Sequence, residues 1–251
     1  MGLADVVAPE SLAEPQGRYL TDLMGRGVVG TADAVVFPSS VEEAAAVMRW
    51  CYETDTPLTA RGGGTGLAGG AIPVEGGIVL GFDRLNKVRQ YDPLLWRMHV
   101  EAGVTTGDIQ RLARESGLRF PPDPGAAEIS QIGGNIACNA GGPHAFKYGV
   151  TGNWVTGIEA VIPPGEIIHL GGPIRKDVAG YDVKNLLVDW DGSVGHGPSE
   201  NNRPNSITVA LQRRSSASRS SARRRDPRSA AQCVHGPFTS RSPFDWSQPP
   251  G

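Results

Sequence analysis

A run of glycines between two predicted strands has the clearest chemical potential in this sequence. Residues 61–70 read RGGGTGLAGG. Glycine tolerates positive φ and carries no Cβ, so several backbone N–H groups of such a loop can turn toward one point. A concavity of that kind binds anions, phosphates above all. The loop therefore predicts a phosphate-binding site, and a flexible surface connector is the alternative.

The common nucleotide-binding motifs do not explain this loop. Residues 64–69 match the GxGxxG pattern, but that motif must open a helix. Pro73 and the pair Gly76-Gly77 follow at once, so we expect no helix there. A Walker motif is excluded because no Gly-Lys-Ser/Thr ends the loop. The loop therefore predicts a different kind of cradle.

A second cluster of small and amide residues lies about 65 residues further on. It contains PPDPG (121–125), SQIGGN (130–135), NAGG (139–142) and KYG (147–149). Lys147 could pair with a phosphate or carboxylate, and Tyr148 could stack on a ring or donate through its hydroxyl. Turns capped by Asn135 and Asn139 and a half-buried Tyr148 are the alternative. Together the two clusters predict one elongated ligand with both phosphates and ring systems.

Alternating strands and helices position these clusters and indicate an α/β or α+β body. Ser40 and Glu43 have capping-box spacing, which predicts a helix start. Apolar residues then recur at helical spacing, at Val41, Ala44, Ala45, Met48, Cys51 and Tyr52. We expect strands at 34–37, 57–60, 77–81 and 97–102, a helix at 106–116, and a hairpin of strands 155–162 and 166–170.

Composition points to a globular protein of the cytoplasm. Hydrophobic residues make up 39% and charged residues 20%, and no run of 18 apolar residues predicts a transmembrane segment. The acidic N-terminus does not resemble a signal peptide. Three widely spaced cysteines argue against a disulfide framework and fit a reducing compartment.

The composition changes near Asp189. Residues 189–251 contain twelve Ser, nine Arg and seven Pro, and carry a formal charge of +4, whereas residues 1–188 carry −6. We see no hydrophobic period in this stretch and expect a disordered tail. A basic arm for nucleic acid is the alternative, but no aromatic interleaving or folded RNA-binding module supports it, and we expect no nucleic-acid partner.

Five ordered motifs resemble the FAD-binding domains of the vanillyl-alcohol-oxidase (PCMH) type. They are RGGGTGLAGGAIP, PPDP, IGGN, NAGGPH and KYGVTGNWVTGIEAVIPPGEII, within residues 30–188. The resemblance is strongest to the branch containing the glycolate oxidase D subunit and D-lactate dehydrogenase. It implies an α+β, two-lobed FAD-binding domain over residues 1–188, followed by the tail at 189–251.

The resemblance also implies the cofactor and its contacts. The first loop would wrap the pyrophosphate and the second cluster would line the rest of FAD. Relatives with covalent flavin often have His where this chain has Thr65, so FAD is expected to be non-covalent. The implied contacts are Gly62, Gly63, Gly64, Thr65, Gly66, Leu67, Pro122, Gly133, Gly134, Asn135, Asn139, Gly142, Tyr148 and Gly149.

The implied activity is oxidation of a small 2-hydroxy acid, with electrons leaving to an acceptor protein or subunit. No catalytic residue can be assigned, because the sequence departs from the family after Gly180-Tyr181-Asp182. Only fragments of the family's GSEGTLG stretch are recognisable near Gly192-Ser193. We therefore expect an incomplete copy that lacks the strand completing the FAD site and the family's substrate domain. A shifted reading frame from about residue 189 is one explanation, and a native tail is the other. An inactive FAD-binding module or truncated product is the alternative function.

The histidines have no metal-ligand spacing, so no metal site is expected. His144, beside the second cluster, is predicted to be a hydrogen-bonded structural residue. His99, His169, His196 and His235 are expected at the surface.

Overall fold

The computed structural model describes residues 2–15, 17–23, 27–174 and 181–189, and the backbone of 204–210 and 212–213. The strands in chain order are β1 (Leu12–Ala13), β2 (Ala34–Val36), β3 (Leu58–Arg61), β4 (Ile78–Gly81), β5 (Val88–Asp92), β6 (Arg97–Glu101), β7 (Leu118–Arg119), β8 (Val155–Ile162), β9 (Glu166–Gly171), β10 (Pro204–Ala210) and β11 (Gln212–Arg213). The α-helices are α1 (Val41–Glu53), α2 (Thr106–Glu115), α3 (Ile132–Ala137) and α4 (Ala145–Tyr148). Within these residues no helix is both long and apolar enough to cross a bilayer.

Two sheets form two lobes, as expected for an α+β protein. The first has the order β1-β2-β4-β3, in which β2, β4 and β3 are parallel and β1 is antiparallel. The second is an antiparallel sheet of order β5-β6-β10-β8-β9. Strands β7 and β11 pair separately. The glycine loop leaves the C-terminal end of β3, at one edge of the first sheet.

Helix α1 joins the two lobes. Its N-cap Ser40 accepts a hydrogen bond from the Glu43 backbone N–H at 3.2 Å, while the Glu43 carboxylate accepts one from the Ser39 N–H at 2.8 Å. The capping residues therefore act much as predicted, with Glu43 reaching one residue further back. The apolar face is buried from Val41 to Cys51, but Tyr52 in the last turn is 55% exposed, so the buried face is shorter than predicted.

The buried face of α1 connects the lobes because it contacts strands of the second sheet. Helix α1 lies between β2 and β3 in sequence and packs against β8 and β9. The Arg49 Nη2 group donates to the Gly165 carbonyl in the β8–β9 turn at 3.1 Å. One apolar cluster consequently includes Val47 of α1, Leu80 of β4 and Val100 of β6.

Strand β10 differs from the prediction of a tail without structure from residue 189. Its residues pair antiparallel with β6 on one side and β8 on the other, so it is the middle strand of the second sheet. The sequence Ser206-Ile207-Thr208-Val209 alternates polar and apolar residues with the period of a strand. The average composition of the surrounding 63 residues conceals this short alternation.

The backbone contacts place a boundary later than residue 188. They group Met1–Arg214 as one unit. Asp189 itself is tied to the body, because its N–H donates to the Ile136 carbonyl at 3.0 Å. The rest of the predicted tail, residues 190–203, 211 and 214–251, lies outside the described residues.

Proline at the centre of β10 should destabilise the protein. A residue in a middle strand needs its N–H for the ladder, and Thr208→Pro removes that donor and leaves a carbonyl unpaired. We expect a loss of about 3 kcal/mol, which lowers the melting temperature by roughly 6–12 °C in a chain of this size. Thr208→Val, which keeps the N–H, is the control in thermal unfolding followed by circular dichroism. Equal melting temperatures for the two variants would show that β10 does not pair in solution.

Candidate functional site

The two glycine clusters meet at one cavity of about 320 Å³. Sequence reasoning predicted that they serve one ligand, and the structure brings them together. The first loop forms one wall, and the second cluster supplies the other through the start and the end of α3. The lining residues are Leu23, Gly62, Gly63, Gly64, Thr65, Gly66, Leu67, Ala68, Gly70, Ala71, Pro124, Gly125, Ala126, Gln131, Gly134, Asn135, Cys138 and Ala140.

A buried arginine fixes the first loop at its base. Arg61, at the end of β3, is only 6% exposed. Its Nη1 group donates to the Ala71 carbonyl at 3.3 Å, across the mouth of the loop, and to the Thr21 carbonyl at 2.6 Å. Burial lowers the pKa of this guanidinium from its usual value. The role of Arg61 was not predicted, since only its position before the glycines was visible in the sequence.

The N-terminal segment holds the loop from outside. The Asp22 carboxylate accepts a hydrogen bond from the Gly69 N–H at 3.1 Å, and the Leu23 N–H donates to the Gly64 carbonyl at 3.0 Å. These two hydrogen bonds involve the Gly69 N–H near the end of the loop and the Gly64 carbonyl in its middle. The loop is therefore an ordered element of the site, which argues against the flexible connector.

The middle of the loop keeps its backbone donors available. None of the N–H groups from Gly63 to Ala68 donates to an acceptor among the described residues. No helix follows the loop, as the sequence predicted. Gly64 has φ +67°, which favours glycine. A set of adjacent unpaired N–H groups at a cavity wall can bind an anion such as a phosphate.

Helix α3 supplies the opposite wall and was not predicted as a helix. Two glycines disfavour a helix by about 1 kcal/mol each relative to alanine, but tertiary packing overrides that cost. A Cβ on Gly133 would lie 2.9 Å from the Ala102 Cβ, so glycine lets the helix approach the end of β6. Asn135 is 5% exposed and donates to the Thr106 hydroxyl, which also contacts the Ser130 hydroxyl at 3.0 Å. The Asn135 amide thus anchors this wall of the cavity to Thr106.

Eight of the fourteen predicted contact residues line this cavity. They are Gly62, Gly63, Gly64, Thr65, Gly66, Leu67, Gly134 and Asn135. Gly133 has the packing role described above, and Pro122 is buried with its carbonyl accepting a hydrogen bond from Gln110 at 2.8 Å. The assignment of these two as ligand contacts remains a prediction.

The other four, Asn139, Gly142, Tyr148 and Gly149, lie in the turns and the short helix α4 that continue the second cluster. Gly142 has φ +83°, and a Cβ there would lie 1.7 Å from the Asp123 carbonyl oxygen. Gly149, φ +78°, ends α4. The Tyr148 ring lies 3.7 Å from the Arg119 guanidinium carbon, and hydrogen bonding by Lys147 and Arg119 lowers the pKa of its phenol. Asn139 accepts a hydrogen bond from the Gly152 N–H at 3.0 Å. Their contact with a ligand likewise remains a prediction.

Asn139 also lines a second, larger cavity. This cavity measures about 810 Å³ and includes Thr156, His169 and Lys184 on its wall. Cys138 and Ala140, on either side of Asn139, line the smaller cavity. The two cavities therefore share the turn at 138–140, an arrangement that suits an elongated ligand.

The described histidines do not form a metal centre. Among the residues that the structure describes, no three His, Cys, Asp or Glu side chains are grouped to hold a metal ion. His144 Nδ1 lies 2.9 Å from the Asp123 carboxylate, which confirms the predicted hydrogen-bonded role. His99 is half-buried rather than exposed, and burial lowers its pKa. His196 and His235 lie outside the described residues.

A family comparison matches this architecture. Residues 32–171 match the model of a family described as FAD binding domain. The chain belongs to that family. FAD is therefore its cofactor, and the two-lobed α+β body predicted from the sequence is confirmed as a PCMH-type fold.

Relatives support the same branch. The chain is 44% identical over 163 residues to the glycolate oxidase subunit GlcD of Bacillus subtilis, which covers 65% of this chain and 35% of that protein. It is 39% identical over 163 residues to a D-lactate dehydrogenase of Anaerostipes hadrus, at 65% and 34% coverage. A D-2-hydroxyglutarate dehydrogenase of Stutzerimonas stutzeri is 34% identical over 195 residues, at 74% and 42%. The matches thus span about a third to two fifths of these relatives.

The solved structure of an alkyldihydroxyacetonephosphate synthase supports the fold alone. Its TM-score is 0.70 at 20% identity, covering 84% of this chain and 39% of that one.

The cavity fits part of FAD. The open N–H groups of residues 63–68 suit the pyrophosphate, and the Gln131 Oε1 atom is buried without a hydrogen-bond partner among the described residues. An unpaired acceptor and unpaired donors on facing walls are expected where a polar ligand completes the structure. Gln131 was not predicted as a contact, although it directly precedes the IGGN motif.

Two glycines of the loop should respond differently to valine. A Cβ on Gly66 meets no atom within 4 Å, so Gly66→Val should fold normally and lower FAD affinity about 10- to 100-fold by placing a side chain in the cavity. A Cβ on Gly64 would lie 2.0 Å from the Arg61 Nη2 atom. Gly64→Val should therefore also lower the melting temperature. FAD titration and thermal unfolding of both variants measure this. Normal FAD affinity in Gly66→Val would contradict the assignment of the loop.

FAD should protect Cys138 from alkylation. Cys138 is exposed and lines the cavity, whereas Cys51 is buried and burial raises its pKa to about 12. At pH 7.5 the Cys51 thiolate is nearly absent, so Cys51 is an internal control that should stay unlabelled in the folded protein. Peptide mapping by mass spectrometry after iodoacetamide treatment should show slower labelling of Cys138 with FAD. Equal rates with and without FAD would place the cofactor elsewhere.

Proposed function

We propose that this chain holds FAD non-covalently for the oxidation of a small 2-hydroxy acid. The observation that carries the proposal is the row of unpaired N–H groups on the first loop, whose residues line a cavity shared with the second cluster. When bound, FAD supplies a two-electron acceptor. The loop N–H groups would bind its pyrophosphate, Arg61 would keep the loop in shape, and α3 would line the adjoining groups.

Non-covalent binding is proposed from the loop chemistry. Thr65 occupies the position where covalent relatives place a histidine, and a threonine hydroxyl is not a nucleophile that attacks a flavin unaided. Acid precipitation of the loaded protein should leave all of the flavin in the supernatant. Yellow colour in the pellet would contradict this part of the proposal.

The substrate class is proposed from the relatives. Three of them are named for a 2-hydroxy acid: a glycolate oxidase subunit, a D-lactate dehydrogenase and a D-2-hydroxyglutarate dehydrogenase. An acceptor protein or subunit would remove the electrons, and the cytoplasm is the proposed location. The matches cover about a third of the length of the first two relatives. We assign no catalytic base or substrate-binding residue within the described part of the chain.

A catalytically inactive FAD-binding module or truncated product is the second candidate. The departure from the GSEGTLG pattern near Gly192 favours it. A shifted reading frame over part of residues 189–251 remains one proposed cause, and an intact gene with the same segment in close relatives would exclude it. Both candidates bind FAD, so flavin content alone cannot separate them.

Anaerobic mixing of the FAD-loaded protein with 2-hydroxy acids tests whether this chain has a complete substrate site. Residues 1–251 loaded with FAD should keep their flavin absorbance near roughly 450 nm when mixed anaerobically with D-lactate, glycolate or D-2-hydroxyglutarate. Positioning of the reacting groups accounts for about 7–11 kcal/mol of a barrier and a placed base for about 10²–10⁴-fold, and we assign neither role to a described residue. Dithionite should bleach the same flavin, which serves as the control. Bleaching by one of the acids would show that this chain carries a working substrate site.

A chimera separates the functional FAD domain from the inactive module. The segment of the Bacillus subtilis relative that matches this chain would be replaced by the corresponding residues of this chain. If the proposed function holds, the chimera should reduce a dye acceptor with a 2-hydroxy acid. A folded, FAD-loaded chimera without turnover would favour the inactive module.

A further inference from the structure

The side chain of Gln131 has an unpaired acceptor at the cavity. Gln131 is the N-cap residue of α3 and is 7% exposed. Its Oε1 atom is buried and has no hydrogen-bond partner among the described residues. A buried amide oxygen that has lost water without gaining a donor costs free energy. Such an atom calls for an explanation in terms of a missing partner.

The orphan oxygen faces the first glycine loop. A Cβ on Gly62 would lie 3.4 Å from Gln131 Oε1, and both residues line the smaller cavity. The oxygen therefore sits where the two walls of the cavity come together. A ligand lying along the loop would pass beside Gln131, which lines the cavity at this point.

Asn135, one turn further along α3, shows what a purely structural amide does here. Its Nδ2 group donates to the Thr106 hydroxyl, and its backbone N–H donates to the Gln131 carbonyl at 3.0 Å. Gln110 is likewise satisfied, because its Nε2 group donates to the Pro122 carbonyl at 2.8 Å. The Gln131 oxygen differs from both in lacking a partner within the protein that the structure describes.

The chemistry of an amide oxygen restricts which group can be its hydrogen-bond partner. It accepts hydrogen bonds and cannot donate. A phosphate diester carries no hydrogen at neutral pH, so the pyrophosphate cannot be its partner and belongs with the N–H groups of the loop. The hydroxyl groups of FAD, on the ribityl chain or on the ribose, flank the pyrophosphate on its two sides and are donors.

We propose that Gln131 Oε1 accepts a hydrogen bond from a sugar-type hydroxyl of FAD next to the pyrophosphate. Gln131 is then a cofactor-binding residue that recognises the ribityl or ribose hydroxyls, while the loop binds the charge. This inference rests on FAD occupying the cavity, as in the proposed function. Removal of the Gln131 oxygen should therefore not lower the stability of the FAD-free protein but should lower its affinity for FAD, because the contact exists only in the complex.

Gln131→Leu in the full chain tests the proposal. Leucine removes the orphan oxygen, so the FAD-free variant should melt at the wild-type temperature or above it. FAD should bind about 3- to 10-fold more weakly, the loss expected for one hydrogen bond. Gln110→Leu is the matched contrast, because it breaks a hydrogen bond made in the free protein and should lower the melting temperature. An unchanged FAD dissociation constant, or a lower melting temperature of FAD-free Gln131→Leu, would overturn the proposal.

Fragments of FAD distinguish the two sources of the hydroxyl. Competition against FAD measures the affinities of ADP, which has the ribose hydroxyls, and of FMN, which has the ribityl hydroxyls. A loss in Gln131→Leu confined to ADP assigns the ribose, and one confined to FMN assigns the ribityl chain. A loss for both, or for neither, overturns the hydroxyl contact. Failure of the wild-type chain to bind FAD would instead refute the proposed function.

Discussion

Backbone packed directly on backbone is the constraint on which this site depends. At Gly63 a Cβ would lie 1.9 Å from the Ile129 carbonyl oxygen and 3.3 Å from the Ser130 Cα atom, so the first loop touches the backbone at the start of the SQIGGN segment without any side chain between them. Arg61 fills the space that a side chain at Gly64 would need and ties the loop ends through carbonyl groups. The glycines thus set the distance between the two walls of the cavity, and the buried Arg61 guanidinium sets the curvature of the first loop. The cavity follows from these two conditions.

The lobes make this arrangement rigid in different ways. The first sheet delivers the loop from the end of β3, which pairs in parallel with β4. The second sheet supports α3, which contacts β10, while α2 contacts β7. Because α1 packs on β8 and β9, the sheet that carries the loop and the sheet that supports the opposite wall share one apolar core. Damage to that core would therefore change the spacing of the binding groups.

Local chemistry made part of this structure predictable. The capping pair of Ser40 and Glu43, the hairpin at 155–171 and the lack of a helix after the glycine loop all depend on neighbours in sequence. The helix at Ile132–Ala137 could not be predicted, because its glycines are unfavourable until the helix packs on Ala102. The unpaired oxygen of Gln131 was equally invisible, since a missing partner is a property of three-dimensional surroundings. Strand β10 was missed because a short alternation lay within an atypical composition.

The place of β10 in the sheet has a consequence for biosynthesis. The hairpins β5–β6 and β8–β9 pair locally, but each exposes an unpaired edge until β10 arrives between them. During translation residue 210 must leave the ribosome before this sheet can close, so the nascent chain carries two open edges from the completion of β9 at Gly171 until β10 has emerged. Such edges are templates for pairing with other chains. The protein quality-control machinery would therefore recognise this domain as incompletely folded until nearly all of residues 1–210 have emerged from the ribosome.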